Sequence, residues 1–131
     1  MSSLSIVMLL MIGGPIAGNY DHIATEKAET MVASHYGCGD GFDGRRMANG
    51  EIFRADDPTV VAHKYLPFGT KLWLTNPDTG ISQKAVVKDR GPFLKDKAGN
   101  YTRDLDVSAA AAKRLGFLEK GVTRLKVTVL P

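Results

Sequence analysis

Cysteine is nearly absent from this chain: Cys38 is the only one among 131 residues. No internal disulfide can therefore staple the fold, and no Cys/His spacing outlines a zinc site. Cys38 itself, between Gly37 and Gly39, reads as a small loop residue rather than a nucleophile. Long hydrophobic runs are also missing. Leu4 to Ile12 is almost wholly apolar, but Gly13-Gly14-Pro15 then breaks it, short of the roughly 20 residues a membrane-spanning helix needs. There is no internal repeat and no low-complexity tract. Basic residues give a net charge of +3 and a pI near 9.1, yet they nowhere cluster densely enough to argue for nucleic acid.

What is present is ordinary for one soluble domain: 44% hydrophobic and 24% charged residues, with 14 glycines that suit a turn-rich β architecture. No side chain in residues 1 to 20 is charged. The short apolar core, its Gly/Pro break and the small Ala17 and Gly18 follow the layout of a secretory signal, whose apolar core spans roughly 7 to 15 residues. The expectation is export to the periplasm or cell envelope, with 1–18 as signal peptide, 19–30 as linker and 31–131 as one folded domain. An uncleaved anchor is the second reading of the same stretch.

Within that domain, Met31 to Tyr36 reads as a first strand, followed by a glycine-rich loop. Lys71, Trp73 and Thr75 alternate with Leu72 and Leu74, the period of a half-buried strand. The lone strand tryptophan is expected to pack against the barrel, and Tyr36 to face a groove. Asn76-Pro77-Asp78-Thr79-Gly80 is a turn sequence, and Ile81 to Lys88 returns as the hairpin partner. Val122 to Leu130 alternates again, with Leu125, Val127 and Val129 on one face. One helix is expected, capped by Ser108, running from Ala109 to Leu115 and stopped by Gly116. Several short strands with one small helix point to a closed, all-β barrel.

The chemistry concentrates in two blocks, Ala62 to Thr70 and Lys88-Asp89-Arg90-Gly91-Pro92-Phe93, with Asn49-Gly50-Glu51 upstream. Each sets a polar residue beside a turn controlled by Gly or Pro, a local structure stiff enough to aim a carboxylate. From these residues alone Asp89 reads equally as an aimed acid and as a capping carboxylate before Gly91-Pro92. Asp106, beside the Ser108 helix start, reads as a helix-dipole partner.

Taken in order, Ala33-Ser34-His35-Tyr36-Gly37, Phe42 to Glu51, Ala62 to Thr70, Asp89 to Phe93 and Leu105 to Ala111 resemble the rare lipoprotein A (RlpA-like) family over about Ala33 to Val129. His35, Met47 and Lys88 depart from the family's usual residues, and Lys97-Ala98-Gly99-Asn100 has the look of an insertion. The resemblance implies a six-stranded double-psi β-barrel with one short helix, related to expansin and barwin barrels. It also implies an endolytic peptidoglycan lytic transglycosylase, which cleaves the β-1,4 bond after N-acetylmuramic acid and leaves 1,6-anhydro ends. On that reading Asp89 is the acid/base, with Glu51 and His63 as catalytic partners. Asp106, Tyr36 and Arg90 contact substrate, the Arg90 side chain pointing away from Asp89. No metal and no organic cofactor is expected. The partner is the glycan strand, with no nucleic acid, no stable membrane insertion after signal cleavage, and a monomeric chain. The alternative is a non-catalytic, expansin-like wall-binding or wall-loosening module, which would tolerate Glu51→Gln where the enzyme would not.

Overall fold

The computed structural model describes residues 27–131; the expected signal peptide and most of the expected linker lie outside them. Six strands and one helix follow in the order β1 (Glu29–Tyr36), β2 (Val60–His63), β3 (Lys71–Asn76), β4 (Ile81–Asp89), β5 (Leu105–Ser108), α1 (Ala109–Leu115) and β6 (Val122–Val129). The first strand starts two residues before the expected Met31. The sheet closes in the order β1-β5-β2-β4-β3-β6, with β6 returning to β1. Two pairs, β1/β5 and β2/β4, are parallel, and the antiparallel β2/β5 pair interlocks them. This is the double-psi arrangement, and closure removes the exposed edges an open sheet would carry.

Strand alternation divides the side chains between two faces. Ala33, Val61, Leu72, Leu74, Ala85, Val87, Leu105, Val107, Leu125 and Val127 fill the barrel, with Ala111, Ala112, Leu115 and Phe117 from the helix region. The helix has its expected bounds. The Ser108 hydroxyl accepts from the Ala111 amide at 3.1 Å, and Gly116 closes the helix in the left-handed region at φ 85°. Leu125 and Val127 point inward as their alternation requires, whereas Val129 shares their parity but is exposed at the strand's end. Trp73 departs from expectation: it is 44% exposed on the outside of β3, between Lys84 and Thr128. Leu72 and Leu74 occupy the inward positions, so parity leaves the tryptophan no place in the core.

A second apolar cluster lies on the opposite side of the β1–β5–β2 wall. Tyr36, Met47, Phe53, Val60 and Ala62 pack there beneath the long loop between β1 and β2. Tyr36 stacks on Phe53 at 4.2 Å between ring centres, 9° from parallel. The loop can pass this close only because residue 37 is glycine. Gly37 has φ 99°, and a Cβ there would sit 2.7 Å from the Ala55 Cβ and 2.8 Å from the Phe53 ring. Both the backbone conformation and the space exclude a side chain. Gly37→Ala is therefore expected to cost about 2 kcal/mol or more, read as a lower midpoint in urea unfolding; an unchanged midpoint would show that the loop can yield.

Candidate active site

One row of residues crosses four adjacent strands on the outer face of this wall. Ser34 of β1 pairs with Asp106 of β5, Asp106 pairs with Ala62 of β2, and Ala62 pairs with Asp89 of β4. Ladder partners point to the same face. The small Ala62 side chain thus forms a floor with a carboxylate on either side. Two strand spacings, roughly 10 Å, separate the Cα atoms of the two aspartates.

Asp89 reaches this face through an irregularity. Val61 pairs with Val87, but the next β2 residue, Ala62, pairs with Asp89 and not with Lys88. Such a bulge re-aims the side chain that follows it. The Asp89 carboxylate then accepts three hydrogen bonds, from the Ala48 amide at 2.9 Å, its neighbouring Arg90 amide at 2.9 Å and the Tyr36 hydroxyl at 3.1 Å. The Ala48 donor comes from a tight hairpin, in which Met47 N donates to the Glu51 carbonyl and Gly50 N to the Met47 carbonyl. After Asp89 the chain turns through Gly91, whose φ of 125° lies where side chains are strained.

Asp106 has a different setting. Its Oδ1 accepts from the Ser34 hydroxyl, and burial raises its proton affinity above the ordinary aspartate value, against the opposing pull of the Ser34 bond and Arg103. Tyr36 is also pushed up, first by burial and then by Asp89, so it stays a neutral donor. Asp104, two residues from Asp106, is occupied elsewhere: its Oδ2 accepts from the Val32 amide at 2.9 Å.

The structure gives several expected site residues other tasks. His63 follows Ala62, so alternation turns it to the face of its ladder partner Leu105. It is buried, its Nδ1 accepts from the Tyr65 and Leu66 amides at 3.2 Å each, and burial lowers its proton affinity. It orders the turn after β2. Glu51, expected as a catalytic partner of Asp89, is exposed and pairs with the bulge residue Lys88 at 2.9 Å. Arg90 turns away from Asp89: its guanidinium donates to the His63 and Leu66 carbonyls at 3.2 and 2.8 Å and lies 3.9 Å over the Phe68 ring. Tyr36 is nearly buried, which makes it an anchor for Asp89 and not an open stacking surface. His35, one of the departures from the family's usual residues, packs near Phe117 with Nε2 2.9 Å from the Leu118 carbonyl.

Ser34 was not singled out from sequence, although its place two residues before Tyr36 on one strand puts both on the groove face. Among the described residues, no three His, Cys, Asp or Glu side chains gather closely enough to hold a metal ion, and no helix is long and apolar enough to cross a membrane. A depression of about 370 Å³ near Val32, Pro77, Lys120 and Arg124 is not lined by Asp89 or Asp106.

The family model described as lytic transglycolase matches residues 28–127. The chain belongs to this family. Members similar to it include the endolytic peptidoglycan transglycosylase RlpA of Rickettsia felis, 40% identical over 111 residues, and its counterpart from Pseudomonas aeruginosa, 41% identical over 101 residues. The matches cover 84% and 77% of this chain but only 46% and 28% of those proteins, so the chain spans less than half the length of either. Among solved structures, the Streptomyces papain inhibitor superimposes with a TM-score of 0.59 at 19% identity, covering 80% of this chain and 96% of that one. An expansin of Clavibacter michiganensis gives 0.57 at 21% identity, covering 79% and 50%. These likenesses show the shared barrel.

The raised proton affinity of Asp106 carries a sign for this family member's stability. Its folded form binds the proton more tightly than the unfolded chain. The resulting stabilisation is complete below the ordinary aspartate value of 3.8 and is lost as pH rises through the folded value. Asp106→Asn removes that loss, so its stability relative to wild type should improve from pH 3.5 to pH 7 in urea unfolding. A gap that stays constant with pH would contradict it.

Proposed function

We propose that this chain is an exported lytic transglycosylase of the cell envelope, cleaving the β-1,4 bond between N-acetylmuramic acid and N-acetylglucosamine in peptidoglycan strands. The observation that carries the reading is the pair of aspartates held in different settings on either side of Ala62, in a barrel of this family. The names of the 40%-identical relatives supply the substrate class.

The reaction needs no water. The muramyl 6-hydroxyl oxygen attacks C1 and forms the 1,6-anhydro bond, while the bond from C1 to the leaving 4-oxygen breaks. One proton must leave the 6-hydroxyl and one must reach the leaving oxygen. Asp89, held by three donors that suit a carboxylate, accepts the first. Asp106, whose buried setting favours the protonated form, gives the second. This division replaces the single carboxyl acting in turn that the family resemblance implied. Proton exchange with solvent restores both groups after product leaves. Tyr36 positions Asp89, and the Lys88–Glu51 pair holds the hairpin that supplies the Ala48 amide. A non-catalytic, expansin-like module would share the barrel without using either proton.

Mass spectrometry of glycan strands incubated with the chain tests this. New 1,6-anhydro ends are expected from the wild type and from neither Asp89→Asn nor Asp106→Asn. Ordinary reducing ends would mean hydrolysis, and binding without new ends would favour the wall-loosening module. If Asp106→Asn retained full activity, one carboxyl would suffice. Tyr36→Phe keeps the stack on Phe53 and loses only the donor, so turnover should fall about tenfold or more with little change in melting temperature. Full turnover in that variant would remove Tyr36 from the positioning of Asp89.

A further inference from the structure

The side of the groove opposite the Ala48 hairpin is built from the segments after β2 and β4, and it carries a cationic cluster. Lys64 lies two residues beyond Ala62, one rung further along the groove face. Its Nζ donates to the Arg103 carbonyl at 2.5 Å and sits 4.5 Å from the centre of the Tyr101 ring. Lys95 approaches the same ring at 4.9 Å and is held there by the ladder bridge between Lys95 and Tyr101. Asp106 and Asp104 are close enough to act on Lys64 electrostatically, against the dominant effect of its burial, so this cluster continues the row of acids.

Two ammonium groups on one ring repel each other, yet neither pairs with a carboxylate among the described residues. The ion pairs among the described residues are Lys88–Glu51 and Lys120–Asp78. Tyr101 is 49% exposed, and Phe93, 6.4 Å away, is 59% exposed. An exposed ring offers the apolar face of a pyranose a surface to stack on. The exposed Lys95 ammonium beside it is matched to an anion, and a charge-assisted bond to a carboxylate is the strong form of that contact.

We infer that Lys64, Lys95 and Tyr101 form a subsite for a sugar carrying a carboxylate, which on a glycan strand stripped of its stem peptides is the free lactyl group of the N-acetylmuramic unit. The inference rests on the glycan-strand reading of the site. Tyr101 takes the sugar face, and Lys95, the more accessible cation, pairs with the lactyl carboxylate while Lys64 holds the ring and the Arg103 carbonyl in place. The subsite fixes which sugar of the alternating strand lies over Ala62, and hence which of the two glycosidic bonds meets Asp89 and Asp106.

Calorimetric titration of the full chain carrying Asp89→Asn tests it with three probes. These are strands stripped of stem peptides, the same strands with the lactyl carboxylate converted to its methyl amide, and peptide-bearing strands. Stripped strands should bind about tenfold or more tighter than the amidated ones. Adding Lys95→Gln, an exposed substitution that leaves the core untouched, should bring the two within about twofold, whereas Lys113→Gln on the helix should not. Equal binding of charged and amidated strands, or a preference that survives Lys95→Gln combined with Lys64→Gln, would overturn the subsite. Tighter binding of peptide-bearing strands than of stripped ones would assign the lysines to the stem peptide and overturn the lactyl assignment. If the wild type makes 1,6-anhydro ends equally fast on charged and amidated strands, only the subsite falls. If no strand is bound or cleaved by any form, the glycan reading falls with it.

Discussion

The step in register between β2 and β4 is the constraint on which the site depends. With an unbroken ladder, Lys88 would stand opposite Ala62 and bring an ammonium group to the groove floor. The bulge sets Asp89 there instead and frees Lys88 to hold Glu51. That ion pair ties the 46–52 hairpin to the end of β4, and the hairpin returns the favour by giving the Ala48 amide to Asp89. A single irregularity thus fixes the carboxylate, its donor and the segment that bears the donor. Bulges next to functional groups are a recurring use of this distortion.

The two aspartates illustrate how position on one wall produces two kinds of carboxyl. Asp89 sits at a strand end where backbone amides converge, and each donor favours a negative charge there. Asp106 sits in the middle of the wall, with Ser34 as its hydroxyl donor and Ala62 as its ladder partner, and burial penalises its ionised form. The two carboxyls thus differ in what surrounds them, one among backbone amides and one beside a hydroxyl. The tyrosine between them, stacked on Phe53 and turned toward Asp89, couples the apolar support of the loop to the polar row.

The same barrel appears in a papain inhibitor and in an expansin, at identities that carry no function across. Closing six strands into a barrel fills the interior with Leu, Val and Ala, leaving the interior no room for a ligand. Whatever differs in activity must therefore be written on the outer face and in the loops that cross it. Here those are the 37–59 loop above the acids and the 64–68 and 90–104 segments below them.

Much of the fold was legible locally. The alternation of β3 and β6, the Asn76–Gly80 turn and the Ser108–Gly116 helix each follow from short-range rules of period, cap and breaker, and the structure keeps them. The order of motifs was enough to indicate the family and its barrel. Sequence could not say which polar residues share a face, because that depends on ladder partners far apart along the chain and on a bulge that shifts parity by one. For this reason His63 was grouped with the acids although it turns to the other side of β2. Glu51 was grouped with Asp89 although it pairs with Lys88, and Trp73 was assigned to packing that Leu72 and Leu74 already supply. Ser34 and the floor at Ala62 became visible only when β1, β5, β2 and β4 lay side by side. The residue types and their local turns determined the chemistry available; the tertiary pairing decided which of those groups meet, since burial and hydrogen bonding act only between neighbours in space.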